Sequence, residues 1–209
     1  MGVTASYQRQ NNVQGAQRFT MWLAILSVMM IFAGFTSAFV VRKGAAGNWS
    51  SFLMPKIFNV ATFVILLSSA FLYVAHTANK KGNKKLMATG LWITFGLGIL
   101  FCILQIMGWG ALYNQGVYLA FSPNPAGSFF YVITFMHFIH VGGGLIFLLI
   151  ASIHALIQLK TTDKTILIEL EDKEKGIYSL RTDLLSMYWH FMGLLWLYLF
   201  IFLYLNFNH

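Results

Sequence analysis

Five long apolar segments, separated by short polar segments, dominate the hydrophobic pattern of the chain. They cover residues 19–41, 55–77, 86–109, 128–159 and 184–206. Because an α-helix rises about 1.5 Å per residue, roughly 20 apolar residues cross a hydrocarbon core about 30 Å thick. The pattern therefore predicts an all-α fold, an integral membrane bundle of five transmembrane helices. The fourth segment exceeds that length, which favours a tilted helix or one that projects beyond the bilayer.

The polar segments suggest how the chain is divided. Residues 1–18 are polar and rich in glutamine, and we interpret them as an N-terminal cytoplasmic segment. Residues 19–209 form a single predicted membrane domain. Its first apolar stretch is longer than the core of a signal peptide, so we expect an uncleaved helix. The uncharged segment 113–127 carries Pro123 and Pro125, which is typical of an ordered external loop.

Basic residues are distributed unequally between the two ends of the predicted helices. Eleven fall on the side of the N-terminus: Arg9, Arg18, Lys80, Lys81, Lys84, Lys85, Lys160, Lys164, Lys173, Lys175 and Arg181. The other side has three, which are Arg42, Lys43 and Lys56. Lys and Arg concentrate in cytoplasmic loops, so this bias predicts a cytoplasmic N-terminus and an external C-terminus.

Composition narrows the classes of protein that fit. Hydrophobic residues make up 58% of the chain and charged residues only 10%, which is too little charge to cover a soluble domain. The net charge of +8 does not indicate nucleic acid, because the basic residues lie at the ends of apolar segments, where they can meet anionic lipid. The single cysteine, Cys102, excludes an intrachain disulfide framework and a thiolate metal motif.

All six acidic residues fall within residues 163–183, which we predict to be a cytoplasmic loop just before the fifth apolar segment. The interiors of the predicted helices therefore contain no carboxylate, whereas proton pumps and cation transporters place one at membrane depth. This distribution argues against an independent pump. Four of the acids form a candidate proton-collecting or docking surface in the cytoplasm: Glu169, Glu171, Asp172 and Glu174. The alternative is a solvated segment with local ion pairs.

Five histidines in or near the apolar segments raise two interpretations: His76, His137, His140, His154 and His190. Histidines on facing helices can ligate haem, and a His-x-x-His pair can hold a metal. Haem ligands must lie at one depth, which His76 with His154 satisfies and His140 with His190 satisfies only marginally. We therefore favour a structural interpretation over haem or metal ligation, in which the histidines form contacts between helices.

Small residues in the apolar segments predict close packing of helices. Gly34 with Ala38 forms a small-xxx-small pattern, and Gly90, Gly96 and Gly98 lie in the third apolar segment. Gly142, Gly143 and Gly144 cover most of one helical turn of the fourth. At least one glycine of that run is expected to face a neighbouring helix.

Three sequence blocks resemble one protein family. Tyr-Trp-His-Phe at residues 188–191, followed by Trp196, resembles the signature of subunit III of haem–copper terminal oxidases, the cytochrome c and quinol oxidases. His-Phe-Ile-His-Val at residues 137–141, followed by glycine, is similar to another helix of that family, and residues 21–39 resemble a third. The blocks occur in the family's order over almost the whole chain, and five-helix bacterial forms of the family are known.

The resemblance implies a non-catalytic subunit of an aerobic oxidase that reduces oxygen to water and pumps protons. Such a subunit stabilises subunit I and sustains turnover, and it holds no cofactor or active site. Haems and copper are expected in subunits I and II. The other expected partners are small subunits, bound phospholipid and a larger respiratory supercomplex, in a bacterial inner (plasma) membrane. The residues assigned an interhelical structural role are His137, His140, Trp189, His190, Phe191 and Trp196.

The chain also departs from the family. Many members have seven helices, and this chain matches the last five. Val28 stands where the family often carries a buried glutamate, and Gly193 where some members have aspartate. Roles attached to those acids are therefore not expected here. Two alternatives stay open: a b-type cytochrome membrane anchor, which a haem spectrum of the isolated chain would reveal, and a component of a nitric-oxide-reductase-type complex, which the copurifying catalytic subunit would reveal.

Overall fold

The computed structural model describes the backbone of residues 2–45, 47, 49, 51–119, 125–160 and 167–207. Side chains are described for residues 13–45, 47, 49, 51–119, 125–159 and 180–207. Within these ranges the chain forms five helices and no strand: α1 Gly2–Ala45, α2 Ile57–Lys80, α3 Lys84–Asn114, α4 Pro125–Lys160 and α5 Leu167–Phe207. Each helix is long and apolar enough to cross a membrane, which confirms the predicted five-helix membrane fold.

The helices extend beyond the apolar segments, most of all at two N-terminal ends. The backbone of α1 is helical from Gly2, so the polar segment 1–18 continues the first membrane helix. Likewise α5 begins at Leu167, inside the acidic segment that precedes the fifth apolar segment. A helix satisfies its own backbone hydrogen bonds, so it can leave the bilayer without a break when no proline interrupts it. Hydropathy marks the membrane portion of a helix and not its ends.

Four helices form a ring, and α1 lies outside it. Helix α2 packs on α3 and α5, α4 packs on the same two helices, and α1 contacts α4 and α5. A tight turn joins α2 to α3, in which Gly82 has a φ of 73° that favours glycine. The side chain of Asn83 then accepts a hydrogen bond from the Leu86 amide at 3.1 Å and caps α3.

Polar contacts fasten α1 to α5 at both ends. At one end, Arg18 Nη2 lies 3.3 Å from Asp183 Oδ2. At the other end, Lys43 Nζ donates to the carbonyl and side-chain oxygens of Asn206 at 3.2 and 3.0 Å, close to the C-terminus of α5. A cation there suits the negative end of the helix dipole. The N-terminal regions of α1 and α5 therefore lie at the same end of the bundle, and its assignment to the cytoplasm stays a prediction from the basic residues.

Aromatic rings fill the end of the bundle that holds the Lys43 contact. Phe39 of α1 is fully buried, and its ring packs edge-on against Trp49 and against two rings of α5, Phe202 and Phe207, with centroids 5.0–5.5 Å apart. Edge-to-face pairs of this kind add about 0.5–1.5 kcal/mol beyond simple burial. The segment after α1 is thereby packed onto the end of α5.

Candidate functional site

Two buried tryptophans of α5 form hydrogen bonds to α2. Trp189 Nε1 donates to Ser68 Oγ at 3.0 Å, and Trp196 Nε1 donates to Thr62 Oγ1 at 2.9 Å. The tryptophans are seven residues apart, about two helical turns, so both face α2. With no water in the bilayer core, each indole N–H must find a protein partner. Trp189 of the Tyr-Trp-His-Phe block and Trp196, which follows the block, therefore join α5 to α2.

The neighbouring tyrosine joins α5 to α4. Tyr188 Oη donates to the main-chain oxygen of His140 at 2.9 Å. One turn along α4, a Cβ atom added at Gly144 would lie 3.0 Å from the Tyr188 ring and 3.3 Å from the Trp189 ring. Gly144 thus leaves room for both aromatic rings, while His190 and Phe191 are half-buried beside them.

Two of the three histidines of α4, His137 and His140, have different surroundings. His137 is fully buried, with its ring centroid 5.2 Å from Trp196, 6.1 Å from Phe101 and 6.3 Å from Phe32. Its ring nitrogens have no hydrogen-bond partner among the described residues. His140 Nδ1 lies 2.6 Å from the carbonyl oxygen of its own helix at Met136. Both rings contact α1 through Phe32, so their interhelical contacts are aromatic.

The glycines of the membrane helices differ in how closely a neighbouring helix approaches them. Within the described residues, an added Cβ meets no atom within 4 Å at Gly34, Gly142 or Gly143. By contrast, it would lie 2.8 Å from Ala75 Cβ at Gly90, 2.7 Å from Leu145 at Gly98 and 2.5 Å from Phe58 at Gly108. Among the glycines expected to pack closely, Gly90, Gly98 and Gly144 therefore have near neighbours among the described residues, whereas Gly34, Gly96, Gly142 and Gly143 have none. Gly108 was not singled out from the sequence.

Asp183 corrects the predicted distribution of acids. The sequence placed it in a cytoplasmic loop, ahead of a helix starting at residue 184. Instead it lies within α5, where Oδ1 is 2.7 Å from His76 Nε2 of α2 and Oδ2 is 3.3 Å from Arg18 Nη2 of α1. The reason is that the helix continues across the charged segment, so one carboxylate near the bundle's end bridges three helices. His76 therefore has the Asp183 carboxylate as its hydrogen-bond partner.

The family model for cytochrome c oxidase subunit III matches residues 2–207. The chain belongs to the cytochrome c oxidase subunit III family. It is 30% identical over 196 residues to cytochrome bo(3) ubiquinol oxidase subunit 3 of Buchnera aphidicola subsp. Schizaphis graminum, covering 90% of this chain and 93% of that protein. It is 29% identical over 202 residues to cytochrome c oxidase subunit 3 of Hippopotamus amphibius, covering 92% and 70%.

Membership of the subunit III family indicates where the chain is located and what it associates with. As a subunit III relative, the chain is a multi-pass protein of a bacterial membrane that associates with other oxidase subunits. In the part of the chain that the structure describes, no three His, Cys, Asp or Glu residues cluster as metal ligands. The motif residues instead contact neighbouring helices, which fits a subunit that supplies packing.

A groove lies on the subunit III bundle between α1, α4 and α5. It encloses about 590 Å³ and is mainly apolar, with Met21 of α1, Phe147 and Ile150 of α4 among its lining residues. Arg181 and His154 also line it. Arg181 lies close in sequence to Asp183, so the cation marks the same end of the bundle. The groove thus combines an apolar trough with basic groups at one end.

The candidate acidic surface lies outside the described side chains. Helix α5 carries the backbone of Glu169, Glu171, Asp172 and Glu174, which makes that segment helical. The predicted role of these four carboxylates stays a prediction.

Sequence reasoning missed the partners of the motif. Ser68 and Thr62 accept the tryptophan N–H groups, and Thr134 accepts from Trp109 Nε1 at 3.0 Å. The available signal was a hydroxyl inside an apolar segment, since such groups join membrane helices. That signal gives the residue type, and it leaves open which helix supplies the donor.

We expect Asp183→Asn to loosen the N-terminal end of α1 slightly. The amide keeps the shape but loses the charge that attracts Arg18, whose side chain is 56% exposed. Exposed ion pairs contribute at most about 1 kcal/mol and are screened by salt. The temperature at which the subunit leaves the purified complex should fall by a small amount at low salt and by less at high salt. Arg18→Gln removes the same ion pair and leaves the Asp183–His76 contact in place, so it should show the same salt dependence with a loss no larger than that of Asp183→Asn. Equal loss at both salt concentrations would contradict an ionic contact.

Proposed function

We propose that this chain is the non-catalytic subunit III of an aerobic haem–copper terminal oxidase. Partner subunits I and II would carry the haems and copper, reduce oxygen to water and pump protons. This chain would stabilise subunit I and sustain turnover. The observation that carries the proposal is that Trp189, Trp196 and Tyr188 direct their polar atoms to other helices of the bundle. These groups are used for packing and not for ligation.

The bundle's charges support an indirect role. Within the described residues, the one acidic side chain is Asp183, and it lies within α5 at one end of the bundle, with His76 and Arg18 as partners. Proton pumps and cation transporters place a carboxylate at membrane depth, and the described side chains supply none there. The chain therefore influences proton movement from the surface, where Glu169, Glu171, Asp172 and Glu174 would collect protons near a partner's channel.

The groove between α1, α4 and α5 suits a phospholipid. Its apolar lining matches acyl chains, and Arg181 and His154 provide groups that attract an anionic headgroup at the end of the bundle. A lipid held there would fill the space between helices and extend the packed surface presented to small subunits or to a larger respiratory supercomplex.

Removal of the subunit tests the proposed role in turnover. We expect complexes without it to begin oxygen consumption at a substantially intact rate and to lose activity progressively over repeated turnovers. The reason is that packing protects the catalytic subunit while the chemistry lies elsewhere. The measurement is an oxygen-electrode trace of complexes with and without the subunit at matched haem content.

Two outcomes of that experiment would speak against the proposal. Immediate and complete loss of oxygen reduction with intact haem spectra would make the chain directly catalytic. A trace that stays identical over many turnovers would remove the supporting role. Adding back the purified subunit is the control, and it should restore sustained activity.

A further inference from the structure

Two polar side chains in the centre of the bundle are buried without hydrogen-bond partners among the described residues. Gln105 of α3 is 1% exposed and His137 of α4 is 0% exposed. Neither side-chain atom of the Gln105 amide has a hydrogen-bond partner among the described residues, and neither has either ring nitrogen of His137. A buried polar group without a partner costs about 1–3 kcal/mol. Four such atoms in one region therefore call for something that satisfies them.

The register of α3 and α4 places these two side chains at one level. Trp109 Nε1 of α3 donates to Thr134 Oγ1 of α4 at 3.0 Å, which fixes the pairing of the antiparallel helices. Gln105 lies one turn before Trp109, and His137 lies close to one turn after Thr134. On the far side of that level, the Phe101 ring of α3 lies 6.1 Å from the His137 ring. Gln105 therefore lies on α3 between two residues that contact α4, Trp109 and Phe101, and the second of these contacts His137.

The surroundings exclude bulk solvent. The His137 ring lies 5.2 Å from Trp196, and the Phe58 ring fills the space beside Gly108 on the next turn of α3. Trp196 Nε1 is already bonded to Thr62. Trp196 Nε1 therefore cannot also donate to the unpaired atoms of Gln105 or His137.

Counting donors and acceptors shows what the pair lacks. Neutral histidine has one N–H donor and one nitrogen acceptor, and the glutamine amide has a carbonyl acceptor and an NH₂ donor. One direct hydrogen bond between Gln105 and His137 would leave one atom of each unpaired. Water can donate and accept, and buried waters typically make about three hydrogen bonds to otherwise unsatisfied groups. We propose that an internal water site lies between Gln105 and His137 and joins α3 to α4 at the centre of the bundle.

This site gives the buried histidine a structural task. It ties the His-x-x-His helix to α3 one turn deeper than the Trp109–Thr134 bond, so a continuous column of polar contacts holds the two helices in register. It also gives a ring nitrogen of His137 a hydrogen-bond partner.

A high-resolution map of the wild-type oxidase complex provides the direct test. Density for at least one ordered water should lie within hydrogen-bonding distance, about 3 Å, of both Gln105 and His137. A direct bond between the two side chains with no water density beside them would overturn the proposal, and so would an apolar void.

Variants in the intact complex provide an independent test. Gln105→Met and His137→Phe keep approximate shape and remove the polar atoms. Each should speed thermal release of the subunit about tenfold, because each leaves the water and the other side chain short of partners. The double variant should release more slowly than the product of the two single effects. Gln115→Met, the same change at an exposed position, should have no effect. Multiplicative effects would mean that the two residues share no site.

Discussion

Trp196→Ala should release this subunit from its complex at a temperature well below that of wild type. Trp196 is fully buried, bonds to Thr62 of α2, and packs its ring 5.2 Å from Phe101 of α3 and 5.2 Å from His137 of α4. One side chain of α5 thus contacts three other helices. Truncating a large buried aromatic residue costs about 3–5 kcal/mol, since the cavity has no atoms to fill it.

The experiment separates packing from hydrogen bonding. Trp196→Phe keeps most of the ring but leaves the Thr62 hydroxyl without its donor, and we expect a smaller loss of about 1 kcal/mol. Trp92→Ala is the matched control, because Trp92 is 36% exposed on α3 and should tolerate truncation. The readout is the midpoint temperature of subunit loss from the purified complex in mild detergent. Equal midpoint temperatures for Trp196→Ala and Trp92→Ala would show that the contacts of Trp196 with α2, α3 and α4 do not hold the bundle together.

The membrane helices could be predicted because hydropathy acts locally. A run of apolar residues long enough to cross lipid must be a helix, since lipid offers no hydrogen bonds to the backbone. The same local rule cannot predict contacts between residues that are distant in sequence. It placed Asp183 in a loop because a charge ends an apolar run, whereas the helix continues and Asp183 meets Arg18 and His76. Partners from two other helices cannot be read from the neighbours of a residue in sequence.

The second limit on prediction is that the sequence does not show which side of a helix faces its neighbours. Gly142 and Gly143 have open space within the described chain, and Gly144 beside them faces the Tyr188 and Trp189 rings. Successive helical residues point about 100° apart, so a glycine run marks a helix without marking its packed side. The motif tryptophans were identified by resemblance, and their partners Ser68 and Thr62 required the packing of α2 on α5.

Gly90→Leu should be among the most damaging single changes in α3. A Cβ atom at Gly90 would lie 2.8 Å from Ala75 Cβ, 3.2 Å from Ala75 Cα and 3.3 Å from its backbone nitrogen. Two of these atoms belong to the α2 backbone and cannot rotate away, so the helices must separate. Overpacking a buried contact costs about 1–3 kcal/mol, and leucine adds three further carbon atoms to that clash.

Gly96→Leu on the same helix isolates this effect. Gly96 is exposed, and an added Cβ meets no described atom within 4 Å. Both substitutions gain the same helix propensity, about 1 kcal/mol relative to glycine, so their difference reports packing against α2 alone. We expect Gly96→Leu to retain the wild-type midpoint of subunit loss, or to raise it, and Gly90→Leu to yield complexes that lack the subunit. Comparable amounts of subunit in both purified complexes would mean that α2 and α3 do not approach as closely as the Gly90–Ala75 contact requires.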